Sequence, residues 1–308
     1  MVQQSEYIWF DGELVPWEQA NVHVLTHALH YGTGVFEGIR AYECTDGSSE
    51  VFRLKEHMVR LLDSAKILGI KVPYSLEELV QATDETLKAN KLKGAYVRPL
   101  VFVGDGAMGV HPGNNPIRVC IATWPWGAYL GDEALEKGIR VRCSSYTRHH
   151  VNVMMTKAKA CGNYVNSVLA KTEAVADGYD EAILLDTTGH VAEGSGENIF
   201  MVKDEVLYTP HLSQVLGGLT RDSVIQLASD LGYEVREMAI GRDMLYTADE
   251  VFFTGTAAEL TPIREIDRRQ VGEGKAGDVT KALQTEFFKI LKGENEDYEH
   301  WLHRYSVD

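Results

Sequence analysis

Thr156-Lys157-Ala158-Lys159-Ala160-Cys161-Gly162-Asn163-Tyr164 sets lysines in a bed of small residues, after the largely apolar run 151–155 and before a helical pattern. Ala158, Ala160 and Gly162 leave room for a flat group to approach the backbone. A solvated lysine needs no such room, whereas a lysine that condenses with an aldehyde does. Taken alone, the stretch reads as a solvated strand end, the ordinary setting for this residue type. Alternation along a strand would put Lys157 and Lys159 on one face, so it does not choose between them. The rest of the chain has to decide.

Two small-residue loops further on have the make-up of phosphate sites. Gly217-Gly218-Leu219-Thr220 runs into a helical pattern, where backbone N–H groups and the helix dipole favour an anion. Thr254-Gly255-Thr256-Ala257-Ala258 follows a strand pattern and adds hydroxyls and further N–H groups. Gly-Gly before a helix is more often a plain turn, and neither loop fits a Walker or dinucleotide fingerprint. Glu193 lies in Val191-Ala192-Glu193-Gly194-Ser195-Gly196-Glu197-Asn198-Ile199-Phe200, read as one glycine-interrupted strand with Glu197 on the same face. A carboxylate there is wasted on a core but can pair with a protonated ring nitrogen. An imine-forming lysine, two anion loops and that carboxylate together match the needs of pyridoxal phosphate.

The surrounding chain reads as two α/β parts. Segments 7–10 and 13–15 form a hairpin, because Asp11-Gly12 supplies the positive φ angles of a tight turn. His27-Ala28-Leu29-His30-Tyr31-Gly32-Thr33-Gly34-Val35-Phe36-Glu37-Gly38-Ile39-Arg40 mixes glycines with aromatics, which suggests irregular backbone close to a ligand or partner. Its histidines lack metal-type partners and read as core or capping residues. Leu54, Met58, Leu61, Leu62 and Ala65 recur at helical spacing, with Arg60 off the stripe and solvated on pattern alone. Ser75 and Glu78 make a capping box for a helix that turns Leu76, Leu79, Val80 and Leu87 to a core and stops near Lys93-Gly94. Strands follow at 95–103, with Tyr96 and Arg98 on one face, and at 119–124. A buried arginine on such a strand requires an anion.

Pro125-Trp126-Gly127-Ala128-Tyr129-Leu130-Gly131 has the composition of a linker, taken to span about 125–134. The division is therefore set at residue 130, with a smaller α/β domain 1–130 and a larger domain 131–308 carrying the lysine. The second part is expected to hold helices at 163–177, from 216 onward (Leu231 inside, Gly232 as cap) and at 278–291. Strands are expected at 181–186, 191–200 and 249–253.

Bulk properties exclude other classes. The 308 residues suffice for two modest cores, and 44% hydrophobic with 24% charged residues is ordinary for a globular chain. A formal net charge of −15 argues against a nucleic-acid or membrane-surface role, so any phosphate must be held locally. Cys44, Cys120, Cys143 and Cys161 form no Cys-x-x-Cys pair, so neither zinc nor a disulfide framework is expected, and a reducing compartment is. With no basic-then-apolar leader and no apolar run near the ~18 residues of a membrane span, the expected location is the cytoplasm.

At this point the chain resembles the branched-chain amino acid aminotransferases, fold-type IV pyridoxal-phosphate enzymes of the class IV aminotransferase family. The likeness is carried, in order, by 27–40, Tyr96-Val97-Arg98-Pro99, Trp126 to Gly131, Lys159-Ala160-Cys161-Gly162-Asn163-Tyr164, Glu193-Gly194-Ser195-Gly196-Glu197-Asn198, 216–222 and 254–262. It implies an α+β / α/β, two-domain, D-amino acid aminotransferase-like fold with the cofactor in the interdomain cleft. Carried over by residue, it makes Lys159 the Schiff-base lysine, Glu193 the partner of the pyridine nitrogen and Tyr164 the partner of the phenolic oxygen. Arg60, Leu219, Thr220 and Thr256 hold the phosphate, Leu219 and Thr220 partly through backbone N–H groups. Tyr96 with the backbone of Thr256 and Ala257 takes the substrate α-carboxylate. Tyr31, Phe36, Gly38, Trp126 and Tyr129 wall the side-chain pocket, and Arg98 with Tyr31 receives the distal carboxylate of glutamate. Cys161 departs from the glycine many relatives carry, and adds bulk beside the lysine.

The resemblance implies reversible amino transfer between L-leucine, L-isoleucine or L-valine and 2-oxoglutarate, with ping-pong kinetics and Lys159 as the proton carrier at Cα. It also implies a homodimer or an assembly of dimers whose partners are amino acids and 2-oxo acids. A D-amino acid or (R)-amine transaminase would need a different wall around Tyr31, Tyr96 and Arg98. A lyase of the aminodeoxychorismate type would not consume 2-oxoglutarate, and a non-enzymatic phosphate-binding module would give no absorbance near 400 nm with the cofactor.

Overall fold

The computed structural model describes residues 2–126 and 132–307, with the side chain of residue 132 left out. Contacts divide the chain into two units: Met1–Trp126 with Ala158–Asn163 and Lys289–Asp308, and Gly127–Lys157 with Tyr164–Phe288. The division expected at residue 130 differs from these units in two places. The lysine segment bridges to the N-terminal sheet, and the C-terminal strand Leu302–Tyr305 pairs with Ser49–Phe52. Both are long-range pairings that composition does not reveal.

In the first unit β1 (Tyr7–Phe10) and β2 (Glu13–Pro16) close over Asp11 at φ 51 and Gly12 at φ 105, the angles of the expected tight turn. Helix α1 (His27–Tyr31) ends at Gly32, left-handed at φ 66, and leads into β3 (Gly34–Phe36), β4 (Ile39–Glu43) and β5 (Ser49–Phe52). Helix α2 (Leu54–Ile67) buries Leu54, Met58, Leu61 and Ala65 as the spacing requires, and buries His57 and Ser64 on the same stripe. Helix α3 (Leu76–Ala89) begins on the Ser75–Glu78 box with both bonds made, and buries Leu79 and Leu87. It stops at Asn90, short of Lys93-Gly94, because the Asn90 carboxamide is engaged with Tyr7 N at 2.8 Å and Tyr7 O at 2.9 Å. Strands β6 (Ala95–Val103) and β7 (Ile117–Trp124) complete an antiparallel sheet in the order β5-β4-β6-β7-β1-β2. Leu302–Tyr305 lies outside β5, and β3 pairs with β6. The sheet packs Val35, Ile39, Val97, Val101 and Ile121 with α2 and α3 in one core.

The second unit runs α4 (Asp132–Lys137), β8 (Ile139–Thr147), α5 (Tyr164–Ala176), β9 (Glu181–Leu185), β10 (Val191–Gly194), β11 (Asn198–Lys203) and β12 (Val206–Thr209). It continues with α6 (Leu219–Asp230), β13 (Val235–Glu237), α7 (Arg242–Tyr246), β14 (Glu250–Gly255), β15 (Glu259–Ile266), β16 (Arg269–Gln270) and α8 (Asp278–Leu291), whose residues from Lys289 onward belong to the first unit. The sheet order is β10-β9-β8-β15-β14-β11-β12-β13, with β16 on β15 and with β8 parallel to both β9 and β15.

Four local expectations are corrected. The strand read over 191–200 is two strands, because Ser195-Gly196-Glu197 breaks it and β10 carries a register shift at Val191/Glu193; strand parity therefore does not relate Glu193 to Glu197. Thr254 and Gly255 belong to β14, which leaves Thr256-Ala257-Ala258 as a tight turn. Leu231 is 43% exposed because α6 ends before it, at Asp230. Finally, Lys157 and Lys159 are not on a strand: the segment is irregular, Ala160 alone bridges to Val35, and Cys161–Asn163 forms a 3-10 turn.

Candidate active site

The backbone of Lys159 is pinned on both sides within the first unit. Its N–H donates to Ser64 Oγ at 3.0 Å and its carbonyl accepts from Phe36 N at 3.1 Å. The small neighbours serve this packing. Ala158 and Ala160 are core residues, and a Cβ on Gly32 would stand 2.8 Å from Gly162 Cα. Cys161 finds its space over Gly34, where a Cβ would stand 3.2 Å from the sulfur, and burial pushes its thiol pKa up. The added bulk is absorbed by a missing side chain, and the thiol stays protonated.

The two lysines part here. Lys157 is exposed, and its Nζ donates to the carbonyls of Leu212 and, at 3.0 Å, Val215. Lys159 is half-buried, with Nζ 5.3 Å from the Phe36 ring centre.

Around Phe36 several of the residues expected to wall the pocket lie close together. The Arg98 guanidinium lies 4.8 Å from the Phe36 ring centre and 5.2 Å from that of Tyr96, and Nη2 donates to the Tyr96 hydroxyl at 3.2 Å. The Trp126 ring stands 4.8 Å from that of Tyr96. Gly38 has to be glycine, since a Cβ there would collide with the Tyr96 hydroxyl. Tyr31 stands apart: it is 43% exposed, its ring lies 4.5 Å from that of His27, and its hydroxyl donates to Met108 O at 2.8 Å. No hydrogen bond or ring contact among the described residues joins it to Arg98. Tyr129 lies outside the described residues.

Arg60 is not a solvated helix residue. Its side chain is 14% exposed, and Nε and Nη2 donate to Glu37 Oε1 at 2.6 Å and Oε2 at 2.8 Å. Glu37 is fully buried and also accepts from His57 Nδ1 at 2.8 Å and Gly38 N at 3.2 Å. Burial alone would raise its pKa. The charge of Arg60 and the bonds that Arg60 and His57 donate outweigh that and hold the carboxyl well below the usual range.

The second unit carries the other expected residues. Glu193, 4% exposed, has Oε1 2.8 Å from Arg148 Nε, and its Oε2 accepts from Leu216 N at 3.2 Å. The Arg148 contact is close enough for an ion pair but lacks the angle of a hydrogen bond. Arg148 is itself buried, with Nη1 on Asn166 Oδ1 at 3.2 Å and Ser167 Oγ at 3.3 Å. Glu197 folds back to accept from Gly196 N at 3.0 Å. Helix α6 starts at Gly218, which has no side chain to cap it, with Leu219 half-buried and Thr220 buried in its first turn. Asn198 keeps this entry in place by donating to Leu216 O at 3.0 Å, and its Oδ1 occupies the space a Cβ on Gly218 would need. The Thr254 hydroxyl is buried without a partner, and Thr256 and Ala257 are half-buried in the turn after it. Tyr164 is half-buried at the first position of α5.

The second unit carries a helix start without a side-chain cap, a buried hydroxyl and a buried carboxylate, and the first a half-buried lysine; these are group types that a phosphate-bearing pyridine aldehyde calls for. Among the described residues no group of His, Cys, Asp and Glu is disposed to hold a metal, and no helix is long and apolar enough to cross a membrane. Glu37, His57, Ser64 and Arg148 were not singled out from sequence. For His57 and Ser64 a signal exists: both are polar residues at core positions of the α2 stripe.

Comparison with known proteins agrees with this chemistry. Residues 34–266 match the family model described as amino-transferase class IV. The chain is 52% identical over 301 residues to the branched-chain-amino-acid aminotransferase of Pseudomonas aeruginosa (strain PAO1), covering 98% of each. Among solved structures, the branched-chain amino acid aminotransferase of Escherichia coli superposes with a TM-score of 0.96 at 52% identity, over 99% of this chain and 100% of that one. That of Thermobaculum terrenum, in its PLP-bound holo form, gives 0.92 at 36% identity, over 99% of both. The sheets, the small-residue loops and these matches agree: the chain belongs to the class IV aminotransferase family, alongside the branched-chain-amino-acid aminotransferases it is similar to.

Proposed function

We propose that this chain is a pyridoxal-phosphate-dependent transaminase that exchanges the amino group of L-leucine, L-isoleucine or L-valine with 2-oxoglutarate. The observation that carries the reading is the wall of Phe36, Tyr96 and Trp126 with the Arg98 guanidinium against it. Such a wall accepts an aliphatic side chain by apolar contact and a distal carboxylate by charge.

Pyridoxal phosphate, when bound, supplies an aldehyde for the amino group and a ring that withdraws electrons from Cα. Lys159 would hold the cofactor, and its amine would carry the proton to and from Cα. Glu193 would pair with the ring nitrogen and favour its protonated form, with the Arg148 guanidinium beside the carboxylate. Tyr164 bonds the phenolic oxygen. Arg60, the amides of Leu219 and Thr220, and Thr256 hold the phosphate. Tyr96 and the backbone of Thr256 and Ala257 take the α-carboxylate, and Tyr31 and Tyr129 enter by motif alone. One oxo acid leaves before the second enters, which gives ping-pong kinetics.

A half-reaction screen tests this by following the cofactor spectrum with L-leucine, L-glutamate, D-alanine and an aryl amine. Conversion by L-leucine and L-glutamate is expected. Conversion only by D-alanine or the amine, or no use of 2-oxoglutarate in turnover, overturns the reading. Exposed Val165 (62%), Val168 (60%) and Val175 (57%) on α5 support a homodimer or assembly of dimers, checked by sedimentation. A monomer at micromolar concentration overturns it. Four free cysteines suit a cytoplasmic setting.

A further inference from the structure

We infer that Glu37 is a positioning residue whose buried carboxylate aims the Arg60 guanidinium at the cofactor phosphate and ties it to the Gly38 end of the substrate wall. This rests on the proposed assignment of Arg60 to the phosphate.

Glu37 stands between two wall residues, Phe36 and Gly38, and its own N–H donates to Pro99 O at 2.9 Å, next to Arg98. Its backbone is therefore fixed by the sheet. Its carboxylate accepts four hydrogen bonds, at 2.6 and 2.8 Å from Arg60, 2.8 Å from His57 and 3.2 Å from the Gly38 amide. His57 and Arg60 lie one turn apart on α2, so one helix face grips the carboxylate from two sides. The His57 Nε2 is buried without a partner. This ring is consequently a fixed donor through Nδ1 rather than a proton carrier. Glu37 engages the Nε–Nη2 edge of the guanidinium at both of its oxygens, which fixes the plane and direction of the group.

Charge and position make opposite predictions at this site. A carboxylate paired to the arginine diminishes its pull on a phosphate, so by charge alone removing Glu37 should tighten phosphate binding. By position, removing it frees the guanidinium to rotate, and phosphate binding should weaken. A guanidinium held at two nitrogens by an immobile carboxylate is already ordered before the ligand arrives, and ordering it then costs nothing.

The test compares pyridoxal 5'-phosphate with pyridoxal, the same ring without the phosphate, titrated by absorbance into the apo form of the full chain. The ratio of the two dissociation constants isolates the phosphate, because general damage weakens both ligands alike. Glu37→Gln is expected to lower the preference for the phosphorylated ligand about tenfold or more. Glu37→Asp, which keeps the charge but withdraws it by one methylene, should lower it too, and inorganic phosphate should raise the melting temperature of either variant less than that of the wild type. Arg60→Met sets the scale and should lose the preference most. A preference equal to or above wild type in Glu37→Gln, or a wild-type preference in Glu37→Asp, overturns the positioning role while Arg60 keeps the phosphate. An unchanged preference in Arg60→Met overturns the phosphate assignment and this inference with it.

Discussion

Lys157 and Lys159 are the same residue two positions apart, and the fold gives them opposite occupations. Lys157 is exposed, and its Nζ fastens the loop at Leu212 and Val215 through their carbonyls. Lys159 is pinned by its backbone to Ser64 and Phe36 and turns its amine over an aromatic ring. Lys157 is committed to carbonyls and holds structure, whereas Lys159 is the lysine to which the proposed chemistry is assigned. The largest expected effect breaks or confirms this contrast. Lys159→Ala should lose the absorbance band of lysine-bound cofactor and at least about 10³-fold in transamination with little change in melting temperature. Lys157→Ala should keep both readouts. The reverse result in absorbance and turnover would exchange the two roles.

If the Lys159 side faces substrate, its neighbours should discriminate between substrates. Arg98 shares the Phe36 ring with Lys159, at 4.8 Å against 5.3 Å. Arg98→Ala should lower kcat/KM for glutamate about 10- to 100-fold, the range of a hydrogen bond to a charged group, and for leucine only a few-fold. Equal losses would remove Arg98 from distal-carboxylate binding and reduce its role to packing.

The lysine contrast also marks how far sequence reaches. Local pattern accounts for α3 from its capping box, for α8, for the Asp11-Gly12 hairpin and for β6. Each depends on residues within about one turn or one alternation of each other. The occupation of Lys157 depends on carbonyls 55 and 58 residues away, and that of Lys159 on a serine 95 residues away. No periodicity reports such distances, and only the motif favoured Lys159. Glu37 lies within a motif and still escapes a reading from sequence, because its charged partner Arg60 sits at a helix position that pattern assigns to solvent. The break at Ser195-Gly196-Glu197 is hidden by glycines that alternation passes over.

Lys157→Ala has a second readout. Its amine bonds two carbonyls while remaining exposed, so the loss should be about 1 kcal/mol of unfolding free energy, measured by denaturant titration. Stability unchanged within error would mean that solvent replaces the bonds, and the structural half of the contrast would fail.

The smallest expected effect concerns Ser64, which lies one turn beyond Arg60 on α2 and accepts the Lys159 N–H at 3.0 Å. One helix thereby sets the height of the lysine and carries the arginine assigned to the phosphate. Ser64→Ala removes the acceptor in a buried place, where an unanswered N–H costs about 1–3 kcal/mol unless the segment shifts to find another. A small shift is the easier outcome, because the Ala160 bridge to Val35, the Phe36 bond, Gly162 N on Gly32 O and Asn163 Nδ2 on Ala158 O still hold the segment in place. The variant should keep most of its stability and lose a few-fold in kcat, with KM for leucine little changed, since proton transfer is more sensitive to the lysine's position than substrate binding is. A rise in KM with kcat intact would mean that Ser64 shapes the wall, and the backbone pin would not be what distinguishes Lys159.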